Sequence, residues 1–288
     1  MNKLEFFLVS TDHLKEALWF RDDADFKVGM NYVALVANAT GVRVLAFILM
    51  SNHVHFVLEG NREGIVAFIT EFKRRYSKYY RQKYSSREFL RGNGVDILPL
   101  ALEKESLERA LAYVQMNSVA ANICAHAALY PWGTGRVFFN RQQMFGPKLD
   151  SFSRRKQIRL LHSNEAPSQD FFLSADGCID PASYVNISFV EQLFRTPARY
   201  NFFLQHSSKA RVRLREGALP AFRDQNIWSA AQDLCRSLFR KNGAEELSPE
   251  QMGELLKQLR YRFSADIAQL SRVLGLPYEQ AARLLDSC

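Results

Sequence analysis

Two apolar runs on either side of the dipeptide Ser51-Asn52 constrain the fold of this chain most strongly. Residues 42–50 (VRVLAFILM) are rich in β-branched and aromatic side chains, and residues 53–59 (HVHFVLE) continue that composition after a two-residue turn signal. Such a pair of runs predicts a β-hairpin with both strands largely buried. A further short strand is expected over residues 5–10, so an antiparallel sheet should form the centre of the first half of the chain.

Helical periodicity separates and follows these strands. Apolar residues recur at helical spacing in three segments, and a Ser-, Gly- and Asn-rich loop is expected at 85–99. The three predicted helices cover residues 22–39, 63–84 and 101–124. The order strand, helix, hairpin, helix, loop, helix predicts the α+β class, with an antiparallel sheet that carries helices on one face.

The composition changes after about residue 147, which predicts three parts. The sequence indicates a first domain over 1–147, a connector over 148–181 and a helical domain over 182–288. Residues 265–286 have the spacing of a helix-turn-helix with Gly275 in the turn, and Gln280 and Arg283 are then the residues expected to face DNA. An ordinary αα-hairpin has the same spacing, so both interpretations stay open.

Charge and the absence of export signals favour a nucleic-acid partner inside the cell. The formal net charge is +8 with a sequence pI near 9.3, which favours an anionic partner, nucleic acid before a membrane surface. No signal peptide and no uninterrupted apolar run of about eighteen residues is recognisable, so no transmembrane helix is expected. The four cysteines form no C-x-x-C pair. A cytoplasmic protein with reduced thiols is the expectation.

Two histidines on the second hairpin strand form the first candidate site. Side chains alternate along a strand, so His53 and His55 point to one side while Val54 and Phe56 point to the other. Both imidazoles can then converge on one divalent ion. A His-x-His pair also occurs on strands by chance, so the pair alone leaves a structural role open.

A helix supplies the remaining candidates for this site. Tyr113 and Asn117 are four residues apart and share a helix face. The Asn117 carboxamide oxygen is a candidate third ligand, and the Tyr113 phenol is expected beside the metal. Two imidazoles and a neutral oxygen suit Mg²⁺ or Mn²⁺ completed by water or phosphate oxygens. A tyrosine on an amphipathic helix is otherwise a core or rim residue. His13, His162 and His206 have no recognisable partner, and His126 is expected at the surface.

Taken together, these segments resemble the signatures of a known family. Met50-Ser-Asn-His-Val-His-Phe56 resembles the M-P-N-H-V-H-h motif of the single-tyrosine HUH transposases of insertion sequences and REP-associated elements. The segment that begins at Tyr113 (YVQMNSVAAN) resembles their Y-I-h-x-N-P-V-x-A-G segment, and Tyr130-Pro-Trp132 resembles the start of Y-x-W-S-S. Residues 72–80 resemble the basic helix between the motifs. The resemblance covers about residues 4–140.

The resemblance implies a ferredoxin-like HUH nuclease domain and a role for each matched residue. His53, His55 and Asn117 match the metal ligands, and Tyr113 matches the nucleophile. The implied ion is Mg²⁺ or Mn²⁺. Five positions depart from the family pattern without removing any of these groups. Ser51 and Ser118 stand where proline is usual, Asn122 stands where glycine is usual, and Gly133-Thr134 replaces two serines.

The activity implied is transposition through transesterification of single-stranded or hairpin DNA. Attack by the tyrosine would leave a 5′-phosphotyrosine and a free 3′-hydroxyl, and reversal onto another 3′-hydroxyl would transfer the strand without ATP. Such an enzyme is expected to act as a monomer or a homodimer and to have no membrane partner. Two other classes remain: a non-catalytic DNA-binding regulator that keeps the fold, and a metal phosphodiesterase that uses water.

A basic segment is the expected DNA contact. Cations can follow phosphates, and the tyrosines among them could stack on unpaired bases; a solvated helix face with half-buried tyrosines is the alternative. The predicted contacts of this segment are Lys73, Arg74, Arg75, Lys78, Arg81 and Lys83, with Arg87 and Arg91 beyond them, and the interleaved tyrosines are Tyr76, Tyr79, Tyr80 and Tyr84. A second basic cluster comprises Lys209, Arg211, Arg213 and Arg215.

Overall fold

A four-stranded antiparallel sheet forms the centre of the first half of the computed structural model. The strands are β1 (Glu5–Thr11), β2 (Arg43–Met50), β3 (His53–Gly60) and β4 (Val95–Leu100), in the order β2-β3-β1-β4. The predicted hairpin and antiparallel sheet are confirmed. The structure describes residues 5–14, 17–85, 90, 92–102, 105–141, 146–167, 170–207 and 222–286.

Strand β4 overlaps the end of the segment predicted as a loop over 85–99. Its sequence, VDILPL, contains an aspartate and a proline, and residues on both faces are partly exposed. It pairs only with β1 at the edge of the sheet, where proline and polar residues are tolerated. Tertiary pairing therefore overrides a weak local strand signal here.

Helices α1 (Asp23–Thr40) and α2 (Arg62–Tyr84) cover one face of the sheet. The Asp22 and Asn61 side chains cap their N-termini by accepting backbone N–H bonds, and Gly41 ends α1 with a φ of 68°. Phe56 of β3 points to this face and packs edge-on against Phe68 and Phe72 of α2, at centroid distances of 5.3 and 5.5 Å.

A further helix lies on the opposite face of the sheet. Helix α3 (Ser106–Gln115) lies there, since the Tyr113 ring contacts His55, whose side chain points away from Phe56. Every residue of β3 is buried, as a strand covered on both sides must be. The predicted single helix over 101–124 is interrupted at Met116 and resumes as α4 (Asn117–Ala120).

Residues of the ranges 146–167 and 170–207 pack into the same core as the sheet. They include α5 (Arg154–Leu161), α6 (Ile187–Phe194) and α7 (Pro197–His206). Phe189 of α6 stacks on Phe6 of β1 at 5.5 Å, and the Asn31 side chain of α1 bonds the backbone of Leu160 and Ile179. The predicted boundaries at 147 and 181 therefore do not coincide with any division between hydrophobic cores.

A second, entirely helical core follows residue 222. It consists of α8 (Asp224–Ser237), α9 (Pro249–Phe263), α10 (Ile267–Leu274) and α11 (Tyr278–Asp286). Helices α10 and α11 form the predicted helical hairpin, with Gly275 in the left-handed conformation at φ 68°. Gln280 and Arg283 are exposed on α11. Among the helices of the described residues, none is long and apolar enough to span a bilayer.

The second core contacts the first at the turn between β2 and β3. The Ser51 hydroxyl donates to Asp224 Oδ2 at 2.5 Å, and Gln225 Nε2 donates to the Phe20 carbonyl at 2.7 Å. Arg223 pairs with Asp23 at 2.8 Å. Ser51 is one of the departures from the family pattern, and its hydroxyl makes a contact that a proline could not make. The second, helical core therefore contacts and stabilises the turn that precedes His53.

Candidate metal and nucleophile site

Strand β3 brings His53 and His55 together as the alternation of its side chains predicts. Both are buried, with exposed fractions of 5 % and 2 %, and their ring centroids are 4.8 Å apart. Asn52 Oδ1 lies 2.9 Å from His53 Nδ1, and Ser10 Oγ lies 2.8 Å from His55 Nδ1. Hydrogen bonds of this kind to one ring nitrogen orient a histidine whose other nitrogen binds a metal.

A third histidine, His13, joins this pair, although no partner for it is recognisable in the sequence. The His13 ring stacks on His53 with a centroid distance of 3.7 Å, and the candidate ligand atoms of His13, His53 and His55 all lie within 4.8 Å of one another. His13 follows β1, whose Ser10 is in register with His55. Its proximity becomes predictable only once that register is known, because the two segments are 40 residues apart in sequence.

Tyr113 lies beside the histidines. Its ring meets His55 edge-on, with centroids 5.5 Å apart and an interplanar angle of 81°, and its side chain is half-buried. The phenol is thus adjacent to the cluster without being sealed in the core. The structure brings His53, His55 and Tyr113 together as the sequence predicted.

Asn117 begins α4, one turn after Tyr113, and is buried. Its Nδ2 donates to the carbonyl oxygens of Tyr113 at 2.9 Å and of Val114 at 3.3 Å. These bonds commit the amide nitrogen to the preceding helix, so the carboxamide oxygen is the atom with which Asn117 could bind a metal. Its role as a ligand stays a prediction.

A segment after α4 holds the tyrosine helix against β2. The Tyr130 hydroxyl donates to the Leu49 carbonyl at 2.8 Å, and Leu49 N–H donates to the Trp132 carbonyl at 2.8 Å. Thr134 Oγ1 accepts bonds from Gln115 Nε2 at 2.7 Å and from Phe47 N–H at 3.0 Å. Thr134 therefore links the helix that carries Tyr113 to the strand beside β3, although it stands where the family pattern has serine.

Asn122 has a backbone conformation that explains why it can replace glycine. Its φ is 55°, in the left-handed region where glycine and asparagine are the favoured residues. We expect Asn122→Gly to leave the free energy of unfolding nearly unchanged and Asn122→Ala to lower it by about 1 kcal/mol. Urea unfolding of the two variants checks this, and equal stabilities would contradict the assigned strain.

The basic face of α2 is largely neutralised by acidic partners. Arg74 pairs with Glu71 at 2.6 Å, and Arg75 pairs with Glu71 and Glu165, each at 2.6 Å. The hydrogen bond from Arg74, followed by the one from Arg75, lowers the pKa of the Glu71 carboxyl to about 2 despite partial burial. These two arginines are thus held by carboxylates that a DNA phosphate would have to displace.

The other predicted contacts on α2 differ in availability. Lys73 donates to the Asn93 carbonyl, and Lys83 pairs with Asp22 at 2.6 Å and with Asp25 at 2.7 Å. Lys78 and Arg81 are exposed, and no ion pair to either occurs in the described ranges. Arg87, Arg91 and the cluster of Lys209, Arg211, Arg213 and Arg215 lie outside the described residues.

The tyrosines of α2 are core residues, which corrects the prediction that they stack on bases. Tyr76, Tyr79 and Tyr80 are 0 %, 7 % and 2 % exposed. The Tyr79 and Tyr84 hydroxyls donate to the buried Asp25, at 2.9 and 2.8 Å. Their spacing along α2 places them toward α1 and the sheet, where burying aromatic surface stabilises the fold.

The residues present fit a divalent ion. Neutral imidazole is a common ligand of first-row transition metals. The His53 ring is oriented by the hydrogen bond between its Nδ1 and Asn52 in the turn, and the His55 ring by the one between its Nδ1 and Ser10 of β1. The neutral oxygen of Asn117 stays the predicted further ligand. His13 is exposed, so the cluster reaches the surface on that side.

One family model matches part of the chain and agrees with the motif around His53 and His55. Residues 16–94 match the family model described as "Transposase IS200 like". A structure of a REP-associated tyrosine transposase bound to a REP hairpin aligns at 10 % identity and a TM-score of 0.35, over 48 % of this chain and 79 % of that chain. No curated protein matches the sequence. Residues 16–94, which contain His53 and His55, are therefore similar to the IS200-like transposases.

Proposed function

We propose that this protein nicks and rejoins single-stranded or hairpin DNA at specific sites, with Tyr113 as nucleophile. The observation that supports this most directly is the half-buried Tyr113 ring against His55, one member of a cluster of metal-ligating side chains. A structural tyrosine would need no such neighbour, whereas a transesterase needs its phenol beside a group that stabilises phosphate charge.

The reaction follows from these groups. The Tyr113 phenol loses its proton, its oxygen bonds to the scissile phosphorus, and the bond to the 3′-oxygen breaks. The products are a 5′-phosphotyrosine and a 3′-hydroxyl, and attack by a 3′-hydroxyl reverses the step. A divalent ion held by His53, His55 and Asn117, such as Mg²⁺ or Mn²⁺, would supply Lewis-acid stabilisation of the phosphate charge. The ester retains the energy of the broken bond, so rejoining requires no nucleotide.

Exposed basic and polar residues on both units suit the DNA substrate. Lys78 and Arg81 lie at the surface of α2, and Gln280 and Arg283 lie at the surface of α11. Phosphate contacts from the former pair would orient the strand, and contacts from the latter would act on duplex or hairpin DNA if α10 and α11 work as a helix-turn-helix. The protein is expected to act as a monomer or a homodimer.

A non-catalytic DNA-binding regulator is the second candidate. The exposed position of Gln280 and Arg283 on the helical hairpin favours it, because that surface can contact DNA without the tyrosine. A buried cluster with a phenol beside it has no use in a protein that only binds, so the nicking enzyme ranks first.

A denaturing gel tests the proposal. The full chain is incubated with Mn²⁺ and fluorescent single-stranded hairpin oligonucleotides tiled across the DNA that flanks its gene. We expect a slow band of DNA linked to protein that survives denaturant, appears with single-stranded but not fully duplex DNA, and disappears with a chelator. Cleavage without a linked band would indicate a water nucleophile. Binding without cleavage across all oligonucleotides would favour the regulator.

A further inference from the structure

We propose that His13 is a third imidazole ligand and that the cluster selects a borderline transition-metal ion of the Co²⁺, Ni²⁺ or Zn²⁺ class over Mg²⁺. The inference deepens the proposed function, since it concerns the ion at the same site. Its starting point is that the candidate nitrogens of His13, His53 and His55 lie within 4.8 Å of one another. Because the His13 ring is stacked on His53, binding requires the exposed His13 side chain to rotate out of the stack and turn a nitrogen toward the ion.

The hydrogen bonds around His53 fix the tautomer in which its Nε2 can bind an ion. Asn52 Nδ2 donates to the Leu14 carbonyl at 2.9 Å, which fixes the orientation of that amide. Asn52 Oδ1 then faces His53 Nδ1 at 2.9 Å and accepts a hydrogen bond from the Nδ1–H group. In the neutral ring the lone pair must therefore lie on Nε2. Asn52 thus acts as a positioning residue that fixes the tautomer of a metal ligand.

The backbone around His13 is held on both sides, so its position beside His53 is built into the fold. Asp12 N–H donates to the Gly94 carbonyl at 3.0 Å, and Leu14 N–H donates to the Asn52 carbonyl at 3.0 Å. The second of these bonds joins the segment directly to the residue before His53. A ligand carried by a backbone fixed in this way loses little entropy when it binds an ion.

Donor chemistry decides which ion such a cluster prefers. Imidazole nitrogen suits Zn²⁺, Ni²⁺ and related ions, whereas Mg²⁺ prefers oxygen and keeps most of its water. A site with two imidazoles and one amide oxygen can still hold Mg²⁺, but a third imidazole moves the balance toward transition metals. His13 is exposed while His53 and His55 are buried, so the ion would remain open to a phosphate oxygen on the His13 side.

Visible absorption of Co²⁺ tests the proposal without DNA, so its outcome is independent of whether Tyr113 cleaves a strand. The full chain, stripped of metal with a chelator, is titrated with Co²⁺ in the presence and absence of excess Mg²⁺. We expect the wild type to bind one ion with absorption bands that Mg²⁺ does not displace. Both His13→Ala and His13→Gln should weaken Co²⁺ binding at least about tenfold and alter the bands, as loss of a ligand must.

Two further variants serve as controls for the Co²⁺ titration. His206→Ala removes an exposed histidine at the end of α7 and should leave the titration unchanged, and Tyr113→Phe should also bind Co²⁺ normally. Circular dichroism verifies that each variant is folded. If both His13 variants keep the Co²⁺ affinity and the absorption bands of the wild type, His13 is not a ligand and the assignment is overturned. The His13 ring would then only stack on His53. Displacement of Co²⁺ by Mg²⁺ at similar concentrations would overturn the selectivity.

Discussion

Tyr113→Phe is expected to abolish the protein–DNA adduct and to lower the nicking rate at least about a thousandfold, as removal of an enzyme nucleophile does. The substitution deletes one oxygen atom from a half-buried ring and retains its edge-on contact with His55. The free energy of unfolding and metal binding should therefore change little. The measurement is the single-turnover rate on a cleaved hairpin oligonucleotide, resolved on a denaturing gel.

A second phenol provides the matched control for that variant. Tyr261 is 90 % exposed on α9, so its hydroxyl is accessible but remote from the histidines. Tyr261→Phe should cleave at the wild-type rate and form the adduct. Cleavage that persists in Tyr113→Phe would contradict the assignment of the nucleophile and would point to attack by water.

Asp224→Ala is expected to lower the free energy of unfolding by about 3–5 kcal/mol, because it leaves a largely buried arginine without its carboxylate. The Asp224 side chain is 4 % exposed and pairs with Arg272 at 2.8 Å. It also accepts bonds from Ser51 Oγ and from Gln269 Nε2, at 2.5 and 2.9 Å. One carboxylate thus links α10 of the helical unit to the turn that precedes His53.

Chemical denaturation followed by circular dichroism measures this loss. Asp233→Ala is the matched control, since it removes an exposed aspartate from the same helix and should change stability by less than about 0.5 kcal/mol. Asp224→Asn should fall between the two, because it keeps the shape and loses the charge. An Asp224→Ala variant as stable as the control would contradict the role of this junction.

Local patterns predicted the centre of the fold and most of the candidate site. The apolar runs around Ser51-Asn52 specify the hairpin, and strand alternation alone places His53 and His55 on one face. The helical spacing of Tyr113 could also be predicted from the local sequence. The position of that helix could not: α3 packs on the face opposite α1, as the contact of Tyr113 with His55 shows.

The remaining differences come from pairing between distant segments. β4 is a strand because β1 is its neighbour, and His13 joins the cluster because β1 and Asn52 hold it there. The cations of α2 face carboxylates that periodicity cannot locate, such as Glu165, 90 residues away from Arg75. A helix with basic residues and interleaved tyrosines has the same sequence pattern whether its rings stack on DNA or pack in a core. Here the rings pack in the core.

Mass spectrometry of the trapped DNA adduct tests the central claim most directly. The protein–hairpin complex is digested with nuclease and protease, and the peptide that retains a nucleotide is sequenced. We expect a 5′-phosphonucleotide on the Tyr113 oxygen and on no other side chain. A nucleotide linked to a different residue, or cleaved DNA with a free 5′-phosphate and no modified peptide, would contradict it.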